Sequence, residues 1–350
     1  MSRLGAALSE MPRRMADSIF RFMCAMQGLE TGFPKTRRVM LALWLTFAMT
    51  FPISIILYFR SVIANPAMGL SEVIHAIGDL DYFASTYYSV YLFVIRHDRV
   101  EKLLSTNAKI SASVLPCLVY GVPGLYLTLE YIVDVGSADT ILARCNFAGT
   151  VFALAMFPMI YAAVVENLLM QLDNIHRQIR EGNASFRDLV LKKWKLREDI
   201  QMVNSLFRIP LALQHAQLFV ASIACFAFLI MTSQEGFGMI MYSLTPITAL
   251  AQMRSGVKRA SDLSARCIDI STLILKSQDA FTPAELSDLT RIYEFRDEWD
   301  ALKVGCYTLR MGDFVKFVST VFTSVAVVLQ FDYKVMRAFA RLIDANATEI

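Results

Sequence analysis

The chain has 350 residues, a formal net charge of +3 and 55% hydrophobic residues, and only 19% of its residues are charged. A soluble protein of this length carries more charge and shorter apolar runs. The strict apolar–polar alternation and the Asn-Gly or Asp-Gly hairpin turns of a transmembrane barrel are missing from the sequence. Together with a mean hydropathy of +0.46, this composition predicts a helical protein that crosses a membrane several times.

The first half of the chain contains three predicted spans. Residues 39–59 form the first, after an N-terminal segment whose positive charges are not followed closely by an apolar core, so that this segment is no cleavable signal peptide. The second span, residues 71–95, is less apolar and ends in a charged stretch at 96–102. Residues 112–132 form the third span, and a short acidic loop at 134–144 follows it.

The second half begins with two spans that are joined by amphipathic helices. The fourth span, residues 147–170, continues as a helical pattern to Arg180, and Gly182 indicates where that helix ends. Residues 186–209 are amphipathic and lead into the fifth span at 211–231.

The last two spans are also linked by helical patterns. The sixth span, residues 239–253, continues into another charged helix. Thr282-Pro-Ala-Glu285 has the N-cap, the proline and the glutamate of a helix start, so a further helix is expected from there to Arg310. Residues 311–313 are expected to separate that helix from the seventh span at 314–331.

The predicted architecture is therefore all-α, a single domain with seven transmembrane helices. The extensions of helices four to six and the lead-in to helix seven share one side of the membrane. Their amphipathic patterns predict that they pack there as a bundle. The domain divides into an N-terminal segment at 1–38, a transmembrane and bundle core at 39–335 and a tail at 336–350. The sequence contains no internal repeat that would indicate a second domain.

The distribution of positive charge predicts the orientation of the chain. Of the 34 lysines and arginines, 28 lie in the N-terminal segment and in the segments after spans two, four and six. Five lie on the opposite side, and Lys316 lies within the seventh span. By the positive-inside rule the N-terminus is cytoplasmic and the C-terminus is extracellular. This orientation is the inverse of that of a G-protein-coupled receptor.

The seventh span carries a polar stripe. Lys316, Thr320, Thr323, Val327, Gln330 and Lys334 recur at steps of four and three residues, which puts them on one face of a helix. A stripe of this kind in a membrane helix faces water or other protein. It either lines a pore or packs against another helix of the same chain.

The end of this span resembles the signature of insect gustatory receptors. That signature consists of Thr-Tyr, five hydrophobic residues and Gln-Phe in the last transmembrane helix. Thr323, Gln330 and Phe331 match it, and Ser324 replaces the tyrosine. The seven spans, the cytoplasmic N-terminus and the long cytoplasmic segments are similar to those of the same family. Ser324 and the longer tail also fit a divergent gustatory-receptor-like branch.

The resemblance implies a chemosensory, ligand-gated and non-selective cation channel in the plasma membrane, usually a tetramer of identical or related subunits. Helix seven of each subunit would line the pore, and the cytoplasmic bundle would anchor the subunits to one another. Thr320 and Thr323 would offer dipoles to hydrated cations, with Val327, Gln330 and Phe331 as the gate. The expected partners are a small-molecule tastant, membrane lipids and related subunits. No cofactor, metal or nucleic acid is expected.

A second candidate site lies in the outer half of spans two to four. It combines carboxylates, which are costly in hydrocarbon, with aromatic side chains. Its members are Asp81, Tyr82, Tyr88, Tyr126 and Glu130. These residues suit an outward-facing pocket for a small molecule. They equally suit an interfacial belt, in which the carboxylates lie at the level of the headgroups and the tyrosines anchor the helices.

Other functions fit the sequence less well. A receptor-like protein of the same fold without a taste role keeps the architecture, whereas a G-protein-coupled receptor conflicts with the orientation. The sequence contains no HExxH, phosphate loop or nucleophile elbow, so it is not expected to be an enzyme. Asn346-Ala-Thr348 is a glycosylation sequon on the predicted outer side, and Asn183-Ala-Ser185 falls on the cytoplasmic side.

Overall fold

The computed structural model describes residues 34–63, 80, 83–92, 95–105, 141–182, 185–231, 237–276, 301–305 and 307–347. At some helical positions, among them 141–156 and 331–347, the description covers the backbone alone. The third predicted span and parts of the second lie outside the described residues.

The described residues are mostly helical, as the sequence predicts. The helices are α1 (Pro34–Ile63), α2 (His97–Ser105), α3 (Ile141–Glu181), α4 (Phe186–Met231), α5 (Phe237–Lys276) and α6 (Met311–Ala347). Residues 83–92 are also helical. A two-stranded antiparallel hairpin precedes α6 and consists of β1 (Lys303–Val304) and β2 (Tyr307–Thr308).

The three longest of these helices are about twice as long as the hydrocarbon core of a bilayer is thick. α3, α4 and α5 have 41, 46 and 40 residues. At 1.5 Å per residue they measure about 60–70 Å, against about 30 Å for the hydrocarbon core of a membrane. Each continues unbroken from a predicted span into its charged extension, and α3 and α4 do so with Pro158 and Pro210 inside them. The helical continuity expected from the sequence is confirmed.

The connection between α3 and α4 is tight because glycine and serine end and begin the helices. Gly182 has a φ of +64°, a left-handed conformation that favours glycine, and its N–H donates to the Ile179 carbonyl at 3.3 Å. Ser185 caps α4, because its Oγ accepts from the Asp188 N–H at 3.2 Å and donates to the Asp188 carboxylate at 2.8 Å. The predicted helix end at Gly182 is therefore confirmed.

The main hydrophobic core lies between the C-terminal halves of α3 and α5 and the N-terminal half of α4. Side chains from these three helices that expose no surface include Ile160, Val165, Ile200, Phe207, Val257 and Leu263. The Phe207 ring lies 5.7 Å from that of Phe157 and 5.6 Å from that of Tyr161. α2 and the hairpin complete this core with Val100, Leu103, Leu302 and Val304. The three long helices are thus packed on one another; that this packing lies in the cytoplasm stays a prediction.

The expectation of a helix up to Arg310 is wrong over residues 301–310. This stretch forms the hairpin, in which Lys303 pairs with Thr308 and Val304 with Tyr307. Gly305 at its turn has a φ of +56°, which is incompatible with a right-handed helix. Residues 311–313 are likewise no break, because α6 begins at Met311. The Asp313 carboxylate accepts from the Arg310 N–H at 3.0 Å and so satisfies a backbone donor at the helix start.

One helical stretch among the described residues, Met311–Gln330, is long and apolar enough by length and composition to cross a membrane, and a shorter apolar stretch runs from Arg38 to Phe47. Only 17% of the Met311–Gln330 window is buried in the subunit. A core helix of a soluble protein would be mostly buried. The other predicted spans include positions outside the described residues or side chains, so their number stays a prediction.

Candidate functional site

One face of α6 packs against α4. Val321 and Val325 are buried and contact Ile223 of α4. The Phe317 ring packs edge-on against Phe219 at 5.7 Å. These contacts join the middle of α6 to the second half of α4 along an apolar seam. They fix which side of α6 faces the subunit and which side faces away.

The polar stripe lies on the opposite face of α6. Its described members, Lys316, Thr320, Thr323, Val327 and Gln330, are all exposed. At 3.6 residues per turn they fall within an arc of about 80° whose centre lies about 180° from Val325. The structure therefore turns the stripe away from the subunit's own packing.

The hydroxyl groups of the stripe are held by their own helix. Thr320 Oγ1 donates to the Lys316 carbonyl at 2.8 Å, and Thr323 Oγ1 donates to the Ser319 carbonyl at 2.9 Å. Because each hydroxyl proton is donated to a backbone carbonyl of α6, the hydroxyl oxygens present their lone pairs outwards. Phe331, the remaining gate candidate, lies in α6, and its side chain is outside the described ones.

The hairpin before α6 is fastened to α4 by the side chain of Asn204. Asn204 Nδ2 donates to the Ala301 carbonyl at 2.9 Å, and Asn204 Oδ1 accepts from the Lys303 N–H at 2.8 Å. The Gly305 N–H donates to the Arg208 carbonyl of α4 at 2.8 Å, one helical turn further on. One amide side chain thus satisfies both a donor and an acceptor of the hairpin backbone.

The same helix therefore holds α6 at two levels. At the start of α6, α4 holds the hairpin through Asn204 and the Arg208 carbonyl, and the hairpin closes on itself where the Leu309 N–H donates to the Leu302 carbonyl at 3.1 Å. Further along, α4 packs directly on Val321. The orientation of the stripe thus depends on α4 at both levels. The sequence gives no signal that singles out Asn204, because Gln201, Ser205 and Arg208 lie close to it in the same amphipathic stretch.

The predicted ligand pocket is described only at Tyr88. Tyr88 is half-buried in the helical segment 83–92, and its ring packs edge-on against Tyr91 at 6.1 Å. The Tyr91 hydroxyl accepts from Arg96 Nε at 3.1 Å, beside the start of α2. The other four candidates, Asp81, Tyr82, Tyr126 and Glu130, lie outside the described residues. Whether these five side chains meet stays a prediction. The glycosylation candidate Asn346 lies in α6 near its C-terminal end, and its side chain is outside the described ones.

Polar contacts also bind the first helices to the bundle. Asn167 of α3 is buried, and its Nδ2 donates at 2.7 Å to the Leu103 carbonyl near the end of α2, where backbone carbonyls lack helical partners. Asp199 of α4 is buried as well, and its carboxylate accepts from Gln171 Nε2 at 3.4 Å. Burial raises the pKa of Asp199, although the hydrogen bond from Gln171 and the charge of Lys195 oppose this shift.

Ion pairs one heptad apart join α3 to α5. Glu166 Oε2 lies 2.9 Å from Arg259 Nη1, and Asp173 Oδ1 lies 2.5 Å from Arg266 Nη1. The equal spacing on both helices means that they run side by side in parallel. Arg259 also borders a cavity of about 20 Å³ between α3, α4 and α5, which has room for one water molecule. Glu166 is thus a contact that joins two helices of the bundle.

The fold is that of a solved insect olfactory receptor. Superposition on the structure of the insect olfactory receptor OR5 from Machilis hrabei in complex with eugenol gives a TM-score of 0.67 at 12% identity, covering 91% of this chain and 98% of that one. A second structure of OR5 gives a TM-score of 0.63 with the same identity and coverage. No protein-family model matches the sequence, and no curated protein matches it. The resemblance to insect chemoreceptors is therefore confirmed for the fold, and the gustatory subtype stays a prediction.

Replacing Asn204 by Ala is expected to destabilise the hairpin. The change removes two hydrogen bonds and leaves a part-buried donor and acceptor without partners, which costs about 2–3 kcal/mol. Ser205→Ala is the matched control, because the exposed Ser205 hydroxyl bonds only the Met202 carbonyl, and its effect should stay within about 0.5 kcal/mol. Thermal unfolding of both variants in detergent measures the difference, and equal stabilities would contradict the role of Asn204.

Asp199→Asn is expected to stabilise the protein at neutral pH. Because burial raises the folded-state pKa of Asp199 above its ordinary value of 3.8, the charged form costs stability as pH rises through the raised value. The gain should therefore be largest above that pKa and should shrink as pH falls towards 3.8. Melting temperatures at neutral and acidic pH measure it. Asp173→Asn is the control: it breaks an exposed ion pair and should give no gain in stability. A loss of stability in Asp199→Asn at neutral pH would refute the argument.

Proposed function

We propose that the chain is a subunit of a ligand-gated cation channel with a chemosensory role, and that α6 lines its pore. The observation that carries the proposal is the exposure of the polar stripe on the face of α6 opposite its packing against α4. The fold shared with an insect olfactory receptor supports it. The signature match at Thr323, Gln330 and Phe331 favours a taste receptor within that class. A receptor-like protein of the same fold without a taste role is the alternative.

The physical argument for a pore begins with the cost of polar groups in lipid. A polar stripe on a membrane helix needs water or protein beside it. The subunit's own helices pack on the other side, through Val321 and Val325. In a tetramer, the stripes of four α6 helices would surround one axis, and the groups exposed in a single subunit would line a water-filled path. This assembly gives the polar groups of the stripe an aqueous environment without any change in the fold of the subunit.

Within the pore, the stripe divides into a polar and an apolar level. Thr320 and Thr323 present hydroxyl oxygens that interact with hydrated cations. Val327 is the apolar member of the stripe, and a ring of valines constricts and dewets a closed pore. Gln330 and Phe331 lie one turn further on and form the outer part of the gate. The threonines thus support conduction and the valine ring supports closure.

The ligand is a small molecule bound from outside. The OR5 structure holds eugenol, a small organic compound, and this supports the same class of ligand here. Asp81, Tyr82, Tyr88, Tyr126 and Glu130 are the proposed pocket. Of these, Tyr88 connects through Tyr91 and Arg96 to the beginning of α2. A ligand that displaces Tyr88 would therefore act on the helix that Asn167 holds against the bundle.

In this proposal the chain crosses the plasma membrane seven times, with the N-terminus in the cytoplasm and the C-terminus outside. The bundle of α3, α4 and α5 lies in the cytoplasm and anchors the subunits to one another. Asn346 is then accessible for glycosylation. The solved proteins that share the fold are receptors, and this supports a role as a receptor rather than an enzyme.

Replacing Val327 by Ser should open the pore without ligand. A polar residue at the constriction removes the barrier that dewetting creates, so the basal current should rise severalfold. Val315→Ser is the matched control, because Val315 is exposed on α6 but lies about 120° around the helix from Val327. Whole-cell currents normalised to surface expression measure the effect. Equal basal currents in the two variants and in the wild type would contradict the gate.

A further inference from the structure

Lys316 is the charged residue among the stripe's described side chains, and it lies apart from the proposed gate. It lies five residues after the start of α6 and 14 residues before Gln330. At 1.5 Å per residue the two are about 21 Å apart along the helix. Lys316 thus occupies the end of the stripe that lies nearest the hairpin. By the predicted orientation, this is the cytoplasmic end.

The Lys316 side chain points away from the rest of its own subunit. It is exposed, and among the described residues it has no ion pair. The carboxylate one turn earlier, Asp313, accepts a hydrogen bond from the Arg310 N–H at the helix start. α4 packs about 140–180° away, at Val321 and Val325. The charge of Lys316 therefore points where Thr320 and Thr323 point.

We infer that Lys316 is a selectivity-determining residue, whose copies form a ring of positive charge at the inner mouth of the pore and disfavour divalent cations. This inference rests on the proposed function, because it needs the stripes of several subunits around one axis. Rings of charged side chains are a general means by which pores select ions. A ring of lysines in a cation pathway acts as a barrier to the ions that carry the current.

The barrier discriminates by ionic charge. The Coulomb energy of an ion near the ring is proportional to its charge, so Ca²⁺ meets twice the repulsion that Na⁺ meets. If the ring lowers Na⁺ passage by some factor, it lowers Ca²⁺ passage by the square of that factor. Screening by salt weakens the repulsion of both ions, but the repulsion energy of Ca²⁺ stays twice that of Na⁺. The pore should therefore conduct monovalent cations and admit little Ca²⁺.

Lys316→Gln tests the inference, with Lys316→Glu as the charge reversal. Reversal potentials are measured with Ca²⁺ outside and Na⁺ inside the cell. The Lys316 variants are made in the Val327→Ser background, and they are also made in the chain with Val327 unchanged, where any basal current is used. Lys316→Gln should raise the permeability of Ca²⁺ relative to Na⁺ by on the order of threefold or more, and Lys316→Glu should raise it further. Arg310→Gln is the control, because it removes an exposed positive charge that lies just before the start of α6 and outside the stripe.

A second arm does not depend on current. Lys316→Cys should be cross-linked between subunits by a flexible bismaleimide in intact membranes above the background of the unmodified chain, which has six cysteines of its own. Arg310→Cys should stay at that background. If Lys316 reached the lipid headgroups instead of the pore axis, position 316 would not cross-link. Lack of cross-linking at this position would therefore overturn the inference. Currents with unchanged selectivity in Lys316→Gln and Lys316→Glu would overturn it and leave the channel intact. Absence of current in every variant would overturn the proposed function, and this inference would fall with it.

Discussion

The packing of α6 on α4 is the constraint on which the rest of the structure depends. Val321 and Val325 bury the apolar side of α6 against Ile223, and this contact turns the threonines, Val327 and Gln330 outwards. In a membrane such an outward polar face is costly unless water or a partner covers it. In the proposed channel, this apolar seam therefore turns the stripe towards the partner subunits and the pore.

The hairpin gives this seam a second point of support. Asn204 and the Arg208 carbonyl bind the backbone at 301, 303 and 305, and α6 begins six residues later. Because α4 holds both the hairpin and the middle of α6, the start and the centre of the proposed pore helix are both attached to the same element. α2 joins the same core through Asn167 and Leu103. The helical segment of Tyr88 is thus linked to the pore helix by packed elements.

Much of the helical framework was predictable because it depends on local patterns. Apolar length, the amphipathic patterns that continue the predicted spans and Gly182 at a helix end gave the long helices correctly. The stripe was predictable from its periodicity, although its direction needed the contact with α4. The hairpin at 301–310 was missed because two-residue strands leave no alternation to detect and because Asn204, about a hundred residues earlier, stabilises them. The proposed pocket depends on contacts between distant spans, which no local pattern specifies.

The most direct test of the central claim is the water accessibility of α6 in intact membranes. Single cysteines at Thr320, Thr323 and Val327 are compared with cysteines at Val321 and Val325, using a charged, membrane-impermeant maleimide on permeabilised cells and the unmodified chain as background. A pore-lining stripe predicts labelling at 320, 323 and 327 and protection at 321 and 325. Protection at all five positions would mean that lipid or protein covers the stripe, and it would contradict the account.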